Sequence, residues 1–204
     1  MVTIQILPLG AYQTNTYLVR DSGSGTCVVI DPGYDAREIL QAVAAAGARV
    51  EAVLLTHGHF DHVGAVEQIV EQTGCALYMH KADWAQPIDP MSTYFYPLAN
   101  CDFTDISFCR EGDAISAAGL TFSVLETPGH TPGSVCYACE DQLFSGDTLF
   151  AGSCGRTDLS GGDPAAMQRS LTRLAGLDRP YRVYPGHGGA TTLERERAYN
   201  PYLK

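Results

Sequence analysis

A chain of 204 residues can bury one large hydrophobic core and is marginal for two, and a hydrophobic share of 45% with 18% charged residues is that of an ordinary globular protein. The formal net charge of −10 excludes a nucleic-acid partner, since phosphate contacts need clustered Lys and Arg. It leaves a small anionic substrate open, because bound divalent metals reverse the local sign of a site.

The N-terminus, Met1 to Leu7, lacks a basic segment followed by a long apolar run, so no signal peptide is expected. No stretch reaches the roughly 20 apolar residues of a membrane helix, so no membrane partner is expected either. Residues 4–9, 16–20 and 26–30 read as strands, the third ending in the turn Asp31-Pro32-Gly33. Residues 35–46 are Ala-rich with helical spacing and stop at Gly47, a C-cap. A buried apolar strand over 50–55 delivers the first histidine motif, a helix over 62–73 ends at Gly74, and 76–79 is a short strand.

The segment from Trp84 to Asp113 holds Pro87, Pro90 and Pro97 with Trp84, Tyr94, Phe95 and Tyr96, and shows no clear periodicity. Such loops serve as lids or are simply pinned to the body by their aromatics, and Tyr94 and Tyr96 are candidate substrate contacts. Strands follow over 120–126, 134–138 and 142–145, then a helix over 164–175 and a strand over 182–184. The seven cysteines show no framework spacing, which fits a reduced cytosol, and Cys136-x-x-Cys139 inside a strand reads as packing. Strand groups at both ends with helices between them predict two sheets packed face to face with helices outside, in one domain over residues 1–204.

Five of the six histidines fall into three motifs: Thr56-His57-Gly58-His59-Phe60-Asp61-His62, Thr127-Pro128-Gly129-His130 and Pro185-Gly186-His187-Gly188. In His57-Gly-His59 the i, i+2 spacing lets two imidazoles face one ion, with Gly58 allowing a backbone that a side chain would obstruct. Asp61 and His62, one step further round, can turn to a second ion, and His130 and His187 each follow a tight turn. Asp147, in Phe144-Ser145-Gly146-Asp147-Thr148, is an isolated acid directly after an apolar stretch and suits a bridging carboxylate. The expected arrangement is His57, His59 and His130 on one metal and Asp61, His62 and His187 on the other, with Asp147 and a hydroxide shared. Two divalent ions are expected, zinc first, with iron or manganese accepted by the same donors. His80 lies outside the set and is expected at the surface.

On these motifs the chain resembles the metallo-β-lactamase superfamily of hydrolases, from near residue 10 to the C-terminus. The resemblance implies a four-layer αβ/βα sandwich of two mixed sheets flanked by helices, with the metals at one edge of the sheets. It carries the same ligand roles onto His57, His59, Asp61, His62, His130, Asp147 and His187, and Asp61 would also orient the nucleophile. The stretch Gly146 to Leu159, with Gly155-Arg156-Thr157-Asp158, and the tail Glu194 to Leu203 look like the glyoxalase II group, especially its short bacterial members. In the long members a Lys near the Arg156 position and a C-terminal helical domain grip glutathione. Here an Arg replaces the Lys and the helical domain has no counterpart. Arg156 is a candidate for an anionic substrate group or for a salt bridge with Asp158.

The resemblance thus implies a cytoplasmic metal-dependent thioesterase, glyoxalase II-like, acting on a small acyl thioester, with its oligomeric state open. Two other readings stand beside it. The Gly-Arg-Thr-Asp string is also similar to mononuclear iron persulfide dioxygenases, whose last motif usually reads His-Asp where this chain has His187-Gly188. A non-catalytic metal-binding protein on the same fold is the third, and the intact ligand set speaks against it.

Overall fold

The computed structural model describes residues 1–84 and 106–203. The first two strands are β1 (Val2–Leu9) and β2 (Thr14–Asp21), and β3 (Thr26–Ile30) shows why the chain needs four layers. All five residues of β3 are buried. Cys27 and Val29 pack into one hydrophobic cluster, and Val28 and Ile30 into another. Successive strand side chains point to opposite faces, so a strand buried on both must lie in a sheet covered on both sides.

Continuing along the chain, the elements are α1 (Ala36–Ala45), β4 (Arg49–Leu54), α2 (Phe60–Val63), α3 (Val66–Thr73), β5 (Ala76–His80) and α4 (Lys81–Trp84). After the undescribed segment come β6 (Ile106–Cys109), β7 (Ala114–Ala117), β8 (Leu120–Glu126), β9 (Val135–Cys139) and β10 (Gln142–Gly146). The remainder is β11 (Leu149–Phe150), β12 (Ser153–Cys154), α5 (Pro164–Ala175), β13 (Arg182–Pro185), β14 (Thr191–Thr192) and α6 (Leu193–Tyr199).

Among the described residues these strands form two six-stranded sheets, ordered β1-β2-β3-β4-β5-β6 and β14-β13-β10-β9-β8-β7, with β11-β12 as a separate hairpin. Both sheets are mixed. The first is antiparallel from β1 to β3 and parallel from β3 to β6. In the second, β10 and β13 run parallel and the other neighbours antiparallel.

The sheets face each other across a core containing Tyr17, Ile30 and Leu54 from the first and Phe122, Tyr137 and Phe144 from the second. On the outer face of the first sheet lie Ile39 and Val43 of α1 and Val66 and Ile69 of α3. On the outer face of the second lie Met167 and Leu171 of α5 and Leu193 of α6. The expected four-layer αβ/βα arrangement is therefore observed. Cys136 packs on the helix side of β9 and Cys139 in the inter-sheet core, which is the packing role read from the sequence.

One expected element differs. The helix over 62–73 is two pieces, α2 and α3, parted at Gly64-Ala65. A Cβ on Gly64 would stand 2.5 Å from the Gly33 carbonyl oxygen, and the Ala65 amide donates to the Pro32 carbonyl at 3.0 Å. The 31–33 turn thus takes over a bond that a continuous helix would make internally. Gly33 itself has no alternative, since a Cβ there would lie 1.7 Å from the Asp61 carbonyl oxygen. The short strands β6, β7 and β14 carry too few residues for a two-residue period to register in the sequence. No helix among the described residues is long and apolar enough to cross a membrane.

Candidate metal centre

The metal motifs all follow strand ends at one edge of the sandwich. His57, His59 and Asp61 follow β4, His130 follows β8, Asp147 follows β10 and His187 follows β13. The two sheets are stitched there by the Asn15 side-chain amide, which donates to the Pro185 and Gly188 carbonyls at 2.9 Å each. The Val135 amide donates to the Thr56 carbonyl at 2.8 Å. Loops after the carboxyl ends of strands are the usual place for a site, because the strands hold them while leaving side chains free to vary.

The structure brings all seven candidate ligands together. Donor atoms of His57, His59 and His130 lie within 4.8 Å of one another, and so do those of Asp61, His62 and His187. Asp147 stands between the groups: its Oδ2 is 3.5 Å from both His130 Nε2 and His187 Nε2, and its Oδ1 is 3.4 Å from His62 Nε2. Asp61 Oδ2 is 3.3 Å from His187 Nε2 and accepts a hydrogen bond from the Thr14 hydroxyl at 3.0 Å.

Outward hydrogen bonds set the tautomers. Nδ1–H donates to the Arg156 carbonyl from His130 (2.7 Å), to the Tyr12 carbonyl from His187 (3.2 Å) and to Asp31 from His62 (2.9 Å). Thr56 Oγ1 donates to Asp31 Oδ2 at 2.6 Å and therefore accepts from His57 Nδ1 at 3.0 Å. In its neutral form each of these four rings then turns a lone pair inward at Nε2.

These inward atoms test whether the residues fit a metal. His130 Nε2 faces His59 Nδ1 at 2.9 Å, and His62 Nε2 faces His187 Nε2 at 3.4 Å. His57 Nε2 and Asp147 Oδ1 are buried with no hydrogen-bond partner among the described residues. Orphaned buried acceptors are unfavourable by themselves and favourable around a cation, and ring nitrogens this close to one another can share a proton or a metal ion. Imidazole nitrogen and carboxylate oxygen are borderline donors that suit a first-row divalent ion. A Cβ on Gly186 would fall 2.2 Å from Asp147 Oδ1, so only glycine leaves that space open. The cluster is a metal-binding site of histidine and aspartate residues.

The two halves differ electrostatically. Burial, reinforced by the neighbouring rings, pushes His59 down to about 3 and His57 well below its usual value, so both are neutral and ready to ligate. In the other half burial acts on His187 in the same direction, but hydrogen bonds to Asp147 and Asp61 outweigh it and hold His187 at about 10. For His62 burial is likewise overcome, by Asp147 and Asp31, and its affinity for a proton is raised. Burial favours the neutral forms of Asp61 and Asp147, yet the surrounding imidazoles keep both carboxyls below the ordinary range. This half holds positive charge, as a proton or as a metal ion.

A cleft of about 410 Å³ opens over the cluster, lined on its rim by Phe150, Ser153, Cys154 and Arg156. Arg156 sits at this rim with Nε and Nη2 each 2.7 Å from a carboxylate oxygen of Asp158, so the salt bridge anticipated from the sequence is present. Tyr94 and Tyr96 fall outside the described residues. His80 is not the surface residue expected. It is half-buried, with Nδ1 accepting from the Ala82 amide and Nε2 3.2 Å from Glu126. Gly58 does not use a left-handed backbone; its amide donates to Asp83 Oδ2 at 2.8 Å.

Three acids escaped the sequence reading. Asp31 carries both Thr56 and His62, and it follows an apolar strand just as Asp147 does, so the same signal was present behind a turn-like Asp-Pro-Gly. Asp83 accepts from the Gly58 and Gly133 amides and the Thr131 hydroxyl, tying the first histidine loop to the His130 loop. Glu196 of α6 accepts from the Gly152 amide at 2.7 Å and holds the β11-β12 hairpin at the cleft, together with Asn200, which donates to the Phe150 and Ser153 carbonyls.

Residues 9–187 match the family model described as Metallo-beta-lactamase superfamily. Hydroxyacylglutathione hydrolase GloC of Haemophilus influenzae is 34% identical over 99% of this chain and 98% of its own length. Among solved structures, the BLEG-1 B3 metallo-beta-lactamase superposes with a TM-score of 0.85 at 34% identity, covering 98% of this chain and 99% of that one. TTHA1623 in a di-iron-bound form gives a TM-score of 0.83 at 39% identity, covering 98% and 100%.

Proposed function

The chain belongs to the metallo-beta-lactamase superfamily and is a metal-dependent hydrolase, and from that premise we propose that it is a binuclear thioesterase of the glyoxalase II type. The observation that carries this reading is the pair of three-residue donor sets with Asp147 between them. Mononuclear iron persulfide dioxygenases usually read His-Asp in the last motif where this chain has His187-Gly188, which favours the hydrolase. The similarity to a hydroxyacylglutathione hydrolase supports a thioester, and one small-molecule thioester with an anionic end is the proposed partner.

His57, His59 and His130 would hold one ion, and Asp61, His62 and His187 the other, with Asp147 serving both. Zinc is the first choice, and iron is supported by the di-iron relative. The ions would lower the pKa of bound water and polarise the thioester carbonyl. The chain's own residues do the positioning. Thr14 fixes Asp61 so that its carboxylate can accept a proton from the attacking water. The Arg156 and Tyr12 carbonyls and Asp31 lock His130, His187 and His62 in the tautomers that leave Nε2 open. Asp158 holds the Arg156 guanidinium at the cleft rim, where it would meet the anionic end of the substrate.

The test is hydrolysis of S-D-lactoylglutathione by protein reconstituted separately with zinc, iron and manganese. Turnover with two ions per chain is expected and identifies the working metal. Full activity with one ion per chain, or oxygen consumption with glutathione persulfide in place of hydrolysis, overturns the proposal.

A further inference from the structure

A second cleft, of about 380 Å³, lies beside the metal cluster on the far side of Tyr12 and Phe60. Tyr12, Phe60 and Asp61 line both clefts, so the two meet at the candidate centre. The Tyr12 and Phe60 rings form the partition, edge to face with centroids 5.5 Å apart. The Tyr12 carbonyl is the acceptor for His187 Nδ1, which ties this partition to the ligand set.

The two clefts differ in chemistry. The one over the metal cluster includes the Arg156 guanidinium and Ser153. The second is walled by Leu9, Ala11, Tyr12, Tyr34 and Phe60, and among the described residues no Lys, Arg or His lines it. Its polar members are Thr14 and Asp61, which are bonded to each other on the side of the centre. Tyr12 and Tyr34 are 61% and 63% exposed, leaving aromatic surface that folding has not covered. Gly10, at φ +70°, lets the Tyr34 side chain pack close, since a Cβ there would stand 3.2 Å from Tyr34 Cβ. The volume lies within the range of small-molecule sites.

We propose that this apolar cleft is the acyl-arm subsite: it takes an uncharged alkyl or aryl group attached to the reacting carbonyl, while the polar thiol arm lies along the Arg156 cleft. This rests on the thioesterase reading for its assignment of the arms. A carbonyl placed at Asp61 can send one arm to each side, and the polarity of each cleft selects the arm. The enzyme therefore prefers acyl groups longer and less polar than lactoyl.

The experiment uses the metal-loaded full chain. Hydrolysis of acetyl-, butanoyl- and hexanoyl-glutathione is compared with calorimetric binding of the alkyl hydroxamates of the same lengths, which anchor on a metal without being hydrolysed. Both kcat/KM and hydroxamate affinity are expected to rise by up to about fourfold per added methylene. Ala11→Trp, an exposed turn substitution that fills the cleft, should flatten both series, and Tyr34→Ala, which removes a wall, should shallow them; metal content and Tm serve as folding controls. A steep hydroxamate series flattened by Ala11→Trp, with no thioester turnover at any length, retains the apolar subsite and rejects the thioesterase reading. Flat series in the wild type, or steep ones untouched by both variants, overturn the subsite.

Discussion

Asp83→Ala removes the acceptor on which one metal half depends. Asp83 is 5% exposed, and its two carboxylate oxygens accept from the Gly58 amide (2.8 Å), the Gly133 amide (2.6 Å) and the Thr131 hydroxyl (2.7 Å). Gly58 lies between His57 and His59, while Thr131 and Gly133 immediately follow His130. The His57, His59 and His130 rings thus hang from one side chain. Each buried hydrogen bond to a charged group contributes about 1.5–3 kcal/mol. Burial raises the Asp83 pKa against the pull of Thr131, Gly58 and Gly133, so the ionised acid already bears a desolvation cost and the low end applies. Three such bonds give a loss of roughly 4–5 kcal/mol, a large share of the stability of any domain.

At about 2–4 °C per kcal/mol for a chain of this size, Tm should fall by about 10–20 °C. Metal affinity of the His57–His59–His130 group should fall by about 10- to 100-fold, as for other residues that orient ligands. Scanning calorimetry of the metal-loaded protein and competitive chelation read the two effects separately. Asp83→Asn, which keeps the volume and one acceptor oxygen, should lie between wild type and Asp83→Ala. A Tm drop under about 2 °C for Asp83→Ala, with metal affinity unchanged, would refute the idea that this acid couples the two loops.

Asp147→Ala should lower metal occupancy of both positions and reduce turnover by about 10³-fold or more, and wild-type activity would sink the shared-ligand scheme. Because His187 is held at about 10 and a ligating imidazole must be neutral, metal binding should release protons at neutral pH. Affinity should then rise by about tenfold per pH unit per proton until pH passes the His187 value, and equal binding heats in buffers of different ionisation enthalpy would contradict this. Glu196→Ala takes the acceptor from the Gly152 amide and the Thr191 hydroxyl and one of three acceptors from the Asn200 amide, at a cost of roughly 2–4 kcal/mol. It should raise KM more than it lowers kcat, because the hairpin it releases lines the cleft; an unchanged KM would assign Glu196 to stability alone.

Much of the architecture is local and therefore readable from the residues in order. The short apolar runs of β2 and β3 bounded by turn residues read as strands, and the His-x-His-x-Asp-His string places candidate ligands in one loop. The helix over 62–73 misled because its apolar spacing continues through Gly64-Ala65. The Pro32 carbonyl that breaks it comes from another part of the chain. His80 misled for a similar reason: its partner Glu126 is 46 residues away.

The amino-acid sequence by itself therefore determined which residues are candidate ligands and that strands would form two sheets, because these rest on residue type and short spacing. Tertiary structure decided what each ligand leans on and where a substrate can go. Asp31 meets His62 across 31 residues, Asp83 meets Gly133 across 50, and the Thr14 segment meets His187 across the sheets. The two clefts exist only because the turn between β1 and β2 packs against α2, placing Tyr12 on Phe60. Hydrogen-bond partners and cavity walls depend on distances between segments remote in sequence, and only the folded chain sets those distances.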